Sequence, residues 1–160
     1  MSRGSAFVIL STKPQTKNDS TNRMRMNPNT IILGVIGADC HSAGDPILEM
    51  LFSDQGFEVI NLGVRVSQQE CIDAALEHDA AAILVSSLCG HGEIDCDGFR
   101  ARCITNNLDD IILYVGGNLV VGQCDPAETE TKFKRMGFDR VFGNDVDLDA
   151  AAALLRGDIE

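Results

Sequence analysis

The residues of this chain best equipped for chemistry are Asp39-Cys40-His41-Ser42-Ala43-Gly44, which place a carboxylate, an imidazole and a glycine in one short stretch. Asp39 is close enough to His41 to accept a hydrogen bond from one ring nitrogen. That contact fixes the tautomer and leaves the other nitrogen able to coordinate a metal. Gly44 lets the backbone approach a ligand or open a helix. One imidazole is too few protein ligands for zinc, so a metal bound here must bring most of its own ligands, as a tetrapyrrole-like cofactor does. The six cysteines, at 40, 71, 89, 96, 103 and 124, form no C-x-x-C pair. They are expected to be reduced structural thiols rather than zinc or haem attachment sites.

Such a stretch needs rigid elements on either side of it. It follows directly on Ile31-Ile32-Leu33-Gly34-Val35-Ile36-Gly37, an apolar run with the length of a buried strand, and the C-terminal ends of strands are where open α/β sheets bind ligands. Asp45-Pro46 opens a helix with apolar residues at 47, 48, 50, 51 and 52. Residues 57–62 have β character, and Ser67-Gln68-Gln69-Glu70 is a capping box that starts a second helix. Ala81-Ala82-Ile83-Leu84-Val85-Ser86 is a third apolar strand segment, followed by a loop over 87–94 and a helix over 95–107. Residues 111–115, closed by Gly116-Gly117, form the fourth strand, Asp125-Pro126 caps a helix to about 136, Arg140-Val141-Phe142 is a short last strand, and a helix runs over 148–155.

Five strands alternating with five helices predict right-handed crossovers and a parallel sheet covered on both faces. The expected fold is therefore α/β, a flavodoxin-like (Rossmann-like) doubly wound five-stranded parallel sheet of order 2-1-3-4-5. That order sets the ends of strands one and three side by side at the switch point and brings the loops at 38–45 and 87–94 together.

A chain of 160 residues with 44% hydrophobic composition and mean hydropathy close to zero suits one globular domain. The net charge of −11 argues against nucleic acid as a partner, because phosphate recognition needs clustered Lys and Arg. No apolar stretch has the length of a membrane span or a signal-peptide core, so no membrane partner and a cytoplasmic location are expected. Charge is unevenly distributed: residues 1–30 carry five basic groups and one acidic, against eight and twenty-three over 31–160. The first thirty residues, rich in Ser, Thr, Asn and Lys without hydrophobic periodicity, read as a disordered leader ahead of a domain over 31–160.

The usual occupants of a doubly wound crevice fit poorly. Gly34-Val35-Ile36-Gly37-Ala38-Asp39 does not supply the G-x-G-x-x-G of a dinucleotide site, and the third strand ends in Ser86 and Ser87 where a phosphate-accepting regulator needs an aspartate. Instead, Asp39-x-His41-x-x-Gly44, Ser86-x-Leu88 and Gly116-Gly117, at the ends of strands one, three and four, resemble the cobalamin-binding module of adenosylcobalamin mutases and methionine synthase. Longer strings are most similar to the small subunits of the glutamate mutase group: Ile83-Leu84-Val85-Ser86-Ser87-Leu88, Gly92-Glu93-Ile94-Asp95-Cys96, Val115-Gly116-Gly117-Asn118 and Met136-Gly137-Phe138-Asp139-Arg140-Val141. The resemblance covers about residues 31–156.

The resemblance implies adenosylcobalamin as cofactor, with His41 the lower axial ligand of cobalt in place of the cofactor's own base and Asp39 its partner. The displaced nucleotide tail would enter a slot where Ser86 hydrogen-bonds the base, Leu88 lines the wall, and Gly116 and Gly117 leave room. Cys40, Ser42, Ala43, Gly90, Asn118 and Phe142 complete the expected cofactor-binding set, and no residue of this chain alone is expected to be catalytic. The implied reaction is the radical interconversion of L-glutamate and L-threo-3-methylaspartate. It requires a large catalytic mutase subunit, a barrel, in a hetero-oligomer that the family makes a heterotetramer. Two other readings share the short motifs: the small subunit of an acyl-CoA mutase, and a non-enzymatic corrinoid carrier or sensor. The chain departs from the family at Cys89 and His91, where the family has tyrosine and glutamine, and at Phe142-Gly143-Asn144-Asp145-Val146, where it usually runs Tyr-x-Pro-Gly-Thr.

Overall fold

Alternating apolar segments and capped amphipathic helices build a five-stranded parallel sheet in the order β2-β1-β3-β4-β5. The computed structural model describes residues 27–38 and 45–160. The Asp39, Cys40, His41, Ser42, Ala43 and Gly44 stretch and residues 1–26 of the expected leader lie outside the described residues. The strands are β1 (Asn27–Val35), β2 (Glu58–Asn61), β3 (Ala80–Ser87), β4 (Ile112–Gly117) and β5 (Arg140–Phe142). Between them run the helices α1 (Asp45–Asp54), α2 (Gln68–Glu77), α3 (Gly92–Cys96), α4 (Phe99–Thr105), α5 (Pro126–Arg135) and α6 (Leu148–Ile159). None of the described helices is long and apolar enough to cross a membrane.

Alternation along the strands divides the core between two faces. Ile32, Ile83, Val85, Leu113 and Val115 pack under α2, α4 and α5 with Ile72, Phe99 and Phe133. Ile31, Leu33, Leu84 and Tyr114 pack under α1 and α6 with Phe52, Ala152 and Leu155. Cys71, Cys96 and Cys103 belong to the first face, where burial pushes the Cys71 and Cys96 thiols up to about 12 and that of Cys103 up to about 11. At neutral pH these three groups are un-ionised packing residues.

Two local features differ from the sequence expectation. Strand β1 begins at Asn27, four residues before the apolar run, because Asn27 N donates to Asp79 O at 2.6 Å and Thr30 pairs with Glu58. The single helix expected over 95–107 is two helices, α3 and α4, so that six helices stand among the described residues. The break falls at Asp97 and Gly98, where Asp97 is extended and Gly98 takes φ +72°, a left-handed conformation that a glycine adopts without strain.

The capping box expected at α2 forms in full. The Ser67 hydroxyl accepts from Glu70 N at 3.2 Å, and Glu70 Oε2 accepts from Ser67 N at 2.8 Å. Ser67→Ala should destabilise the domain by about 1 kcal/mol, read as a lower urea midpoint at unchanged slope.

Candidate functional site

Strand register assembles the site. Val35 pairs with Ser86, Ser86 with Gly116 and Gly116 with Phe142, so these four residues form one row across β1, β3, β4 and β5 at the C-terminal edge of the sheet. Two residues earlier, on the same face, the row beneath is Leu33, Leu84, Tyr114 and Arg140. In the upper row two small residues, Ser86 and Gly116, lie between Val35 and Phe142, and the surface dips between them. Helices α1 and α6 flank the dip, with Leu48 and Phe52 on one side and Leu148 and Ala151 on the other. Together they enclose a slot of about 280 Å³, just below the ~300 Å³ at which ligand pockets usually begin.

Of the residues expected to bind a cofactor, Ser86, Leu88, Gly116, Gly117 and Phe142 all line this slot. Gly90 and Asn118 do not line it. Gly90 N donates to Asn118 O at 3.0 Å, and His91 pairs antiparallel with Val120, so these residues tie the loop after β3 to the loop after β4. The sequence reading missed Tyr114, whose spacing of two from Gly116 puts both on one face of β4, and the α1 and α6 walls.

The two glycines serve different needs. Gly117 has φ +103°, and a Cβ there would lie 2.5 Å from the Ser87 carbonyl oxygen and 3.0 Å from Leu88 Cδ2. A Cβ on Gly116 would meet Phe142 at 3.6 Å, an ordinary contact, so the fold tolerates a side chain there but the slot loses that space. Gly116 thus leaves a space in the slot that a side chain would occupy, while Gly117 lets the backbone lie close against Ser87. An otherwise apolar floor with the Ser86 hydroxyl in it fits a flat, largely apolar heterocycle with a polar edge, such as the nucleotide base of a corrinoid.

The departures from the family also become concrete. Cys89 Sγ lies 3.4 Å from His91 Nδ1, so the two replaced residues touch each other. At the end of β5 and just beyond it, Phe142, Gly143, Asn144 and Val146 all line the slot, and the Phe142 ring packs 5.3 Å from that of Tyr114. The wall is therefore present, built from an aromatic ring without a hydroxyl.

Fold and slot together define a doubly wound α/β domain with a preformed ligand slot at its switch point. The B12 binding domain family model matches residues 29–153. The glutamate mutase sigma subunit of Escherichia coli O157:H7 is 59% identical over 134 residues, covering 84% of this chain and 90% of that one. Among solved structures, a cobalamin-binding protein from Desulfitobacterium hafniense superposes with a TM-score of 0.66 at 19% identity, covering 82% of this chain and 59% of that one. An orphan response regulator of H. pylori superposes at 0.59 with 14% identity, covering 84% and 99%, which shows how widely this fold is shared. The chain belongs to the B12-binding domain family, and within it to the glutamate mutase sigma subunits. It is a cobalamin-binding subunit.

Proposed function

We propose that this chain carries adenosylcobalamin for a carbon-skeleton mutase that interconverts L-glutamate and L-threo-3-methylaspartate, as the non-catalytic partner of a large substrate-binding subunit. The observation that carries this reading is the row Val35, Ser86, Gly116 and Phe142, which joins the Ser86-x-Leu88 and Gly116-Gly117 motifs in one preformed slot. Its relatives are glutamate mutase sigma subunits, and a sigma subunit works in an assembly. When bound, the coenzyme supplies the radical chemistry of the rearrangement.

In this reading His41 gives cobalt its lower axial nitrogen and Asp39 holds the ring in the coordinating tautomer. Cys40, Ser42, Ala43 and Gly44 carry that histidine between the end of β1 and the start of α1. Ser86 hydrogen-bonds the base of the nucleotide tail. Leu88, Gly117 and Phe142 form its walls, and Gly116 leaves it space. Gly90 and Asn118, in the two loops that their backbone bond joins, contact the cofactor from the loop side. The loops at this edge also meet the large subunit, which binds the substrate and keeps water from the reacting centre. A heterotetramer in the cytoplasm belongs to the same reading.

The test is reconstitution with adenosylcobalamin and a large mutase subunit, following the cobalt spectrum and turnover. Histidine coordination with the nucleotide base released, together with turnover of L-glutamate and not of acyl-CoA esters, is the expected result. A spectrum with the nucleotide base still on cobalt, or no binding in the assembled pair, would overturn it. Asp39→Asn should lower coenzyme affinity or activity by about 10- to 100-fold with the melting temperature unchanged, because it loosens the ligand rather than the domain.

A further inference from the structure

Helix α6 supplies one wall of the slot from its first turn, through Leu148 and Ala151, and is bound to the sheet from its last. Asp158 accepts a hydrogen bond from the Tyr114 hydroxyl at 2.7 Å and from Arg140 Nε and Nη2 at 2.8 and 2.9 Å. Two residues earlier, Arg156 reaches in the other direction. Its Nη1 donates to Asn29 Oδ1 and its Nη2 to Gln55 O, both at 2.8 Å, with the guanidinium 4.1 Å above the Phe57 ring. The end of α6 is thus tied to β4 and β5 on one side and to β1 and the end of α1 on the other. Among the described residues, the polar contacts of its first turn are with its own cap, Asp147.

Tyr114 belongs to both parts of this arrangement. Its ring lines the slot, beside Phe142, while its hydroxyl points away to the helix that forms the opposite wall. The hydroxyl is bound by a carboxylate that Arg140 grips with two parallel N–H donors, the most directional form of such a pair. In the row beneath the slot both Tyr114 and Arg140 bond Asp158, and of the two only Tyr114 also lines the slot, so it couples the floor directly to the α6 wall.

We propose that Tyr114, acting through Asp158, is a positioning residue that sets the distance between α6 and the sheet and so how firmly the slot holds the nucleotide tail of a corrinoid. This rests on the reading that the slot takes that tail. The bond to Asp158 fixes where α6 begins, as a lever fixed at one end fixes its other end. Losing it leaves Arg140 and Arg156 to hold that end and loosens the fit of the Leu148 and Ala151 wall against the floor, so the tail loses contact while the corrin ring, held outside the slot, does not.

The experiment compares cobalamin with cobinamide, which lacks the nucleotide tail, by measuring both dissociation constants on the full chain assembled with its large subunit. The wild-type protein should prefer cobalamin. Tyr114→Phe, which keeps the ring and removes only the hydroxyl, should reduce that preference about fivefold to tenfold, as expected for one hydrogen bond to a charged group acting indirectly. Cobinamide affinity should not change. Asp158→Ala, which removes the Arg140 pair as well, should reduce the preference at least as far, and the double variant no further than Asp158→Ala alone, because the Tyr114 contact is then already lost. An unchanged preference with only a lower melting temperature would make Tyr114 merely structural and overturn the proposal. Equal weakening of both corrinoids would overturn it too. A wild-type protein with no preference for cobalamin would remove the tail-slot reading itself, and this proposal with it, before any variant is compared.

Discussion

His41→Ala should lower coenzyme-dependent activity by more than about 100-fold and remove the histidine signature from the cobalt spectrum, while leaving the domain folded. The magnitude follows from comparison with Asp39. Loss of a residue that merely orients a ligand typically costs about 10- to 100-fold, and loss of the ligand itself costs more. The fold survives because β1 is held independently of this loop: Ile31, Ile32, Leu33, Val35 and Ile36 are at most 1% exposed, and Ile36 N and Gly37 N donate to Ser86 O and Val66 O. Turnover of the reconstituted pair and the absorption spectrum of bound coenzyme decide it. Full activity with the spectrum unaltered would show that the ligand lies elsewhere.

Gly117→Ala should have the largest effect on the fold of any single methyl group at this site. Two costs combine there. A non-glycine residue at φ +103° is strained by about 1–3 kcal/mol, and the added methyl would have to displace the Ser87 carbonyl, 2.5 Å away, at the end of the central strand β3. Crowding of that kind typically costs another 1–3 kcal/mol. A loss of about 3 kcal/mol in urea unfolding is expected, with weakened coenzyme binding because Leu88 moves as well. Gly116→Ala is the matched control. Its methyl makes an ordinary contact with Phe142, so stability should stay within about 1 kcal/mol while coenzyme affinity falls. Equal stability losses in the two variants would show that slot space and backbone geometry had been wrongly separated.

Much of the site was legible because its motifs end strands. Ser86-x-Leu88 and Gly116-Gly117 follow apolar runs that are strands in any sheet, and both motifs line the slot. Gly90 and Asn118, expected from the resemblance to contact the cofactor, lie outside the slot lining, and the backbone bond that joins their two loops could not be read from either segment alone. Tyr114 was passed over because, inside an apolar run, an aromatic residue looks like core. Its ring is indeed only 3% exposed, and the use of its hydroxyl depends on Asp158, 44 residues away.

By itself the sequence determined the order of strands and helices, the capping of α2 and α5, and the family of the chain. These depend on periodicity, caps and short strings, which act within a few residues. Only the tertiary structure decided that Val35, Ser86, Gly116 and Phe142 share a row, that the third helix breaks at Gly98, and that α6 is tied down from its last turn. The physical reason is range. Register between parallel strands is set by packing across crossovers of tens of residues, and a shift of one residue would have turned every slot side chain to the opposite face.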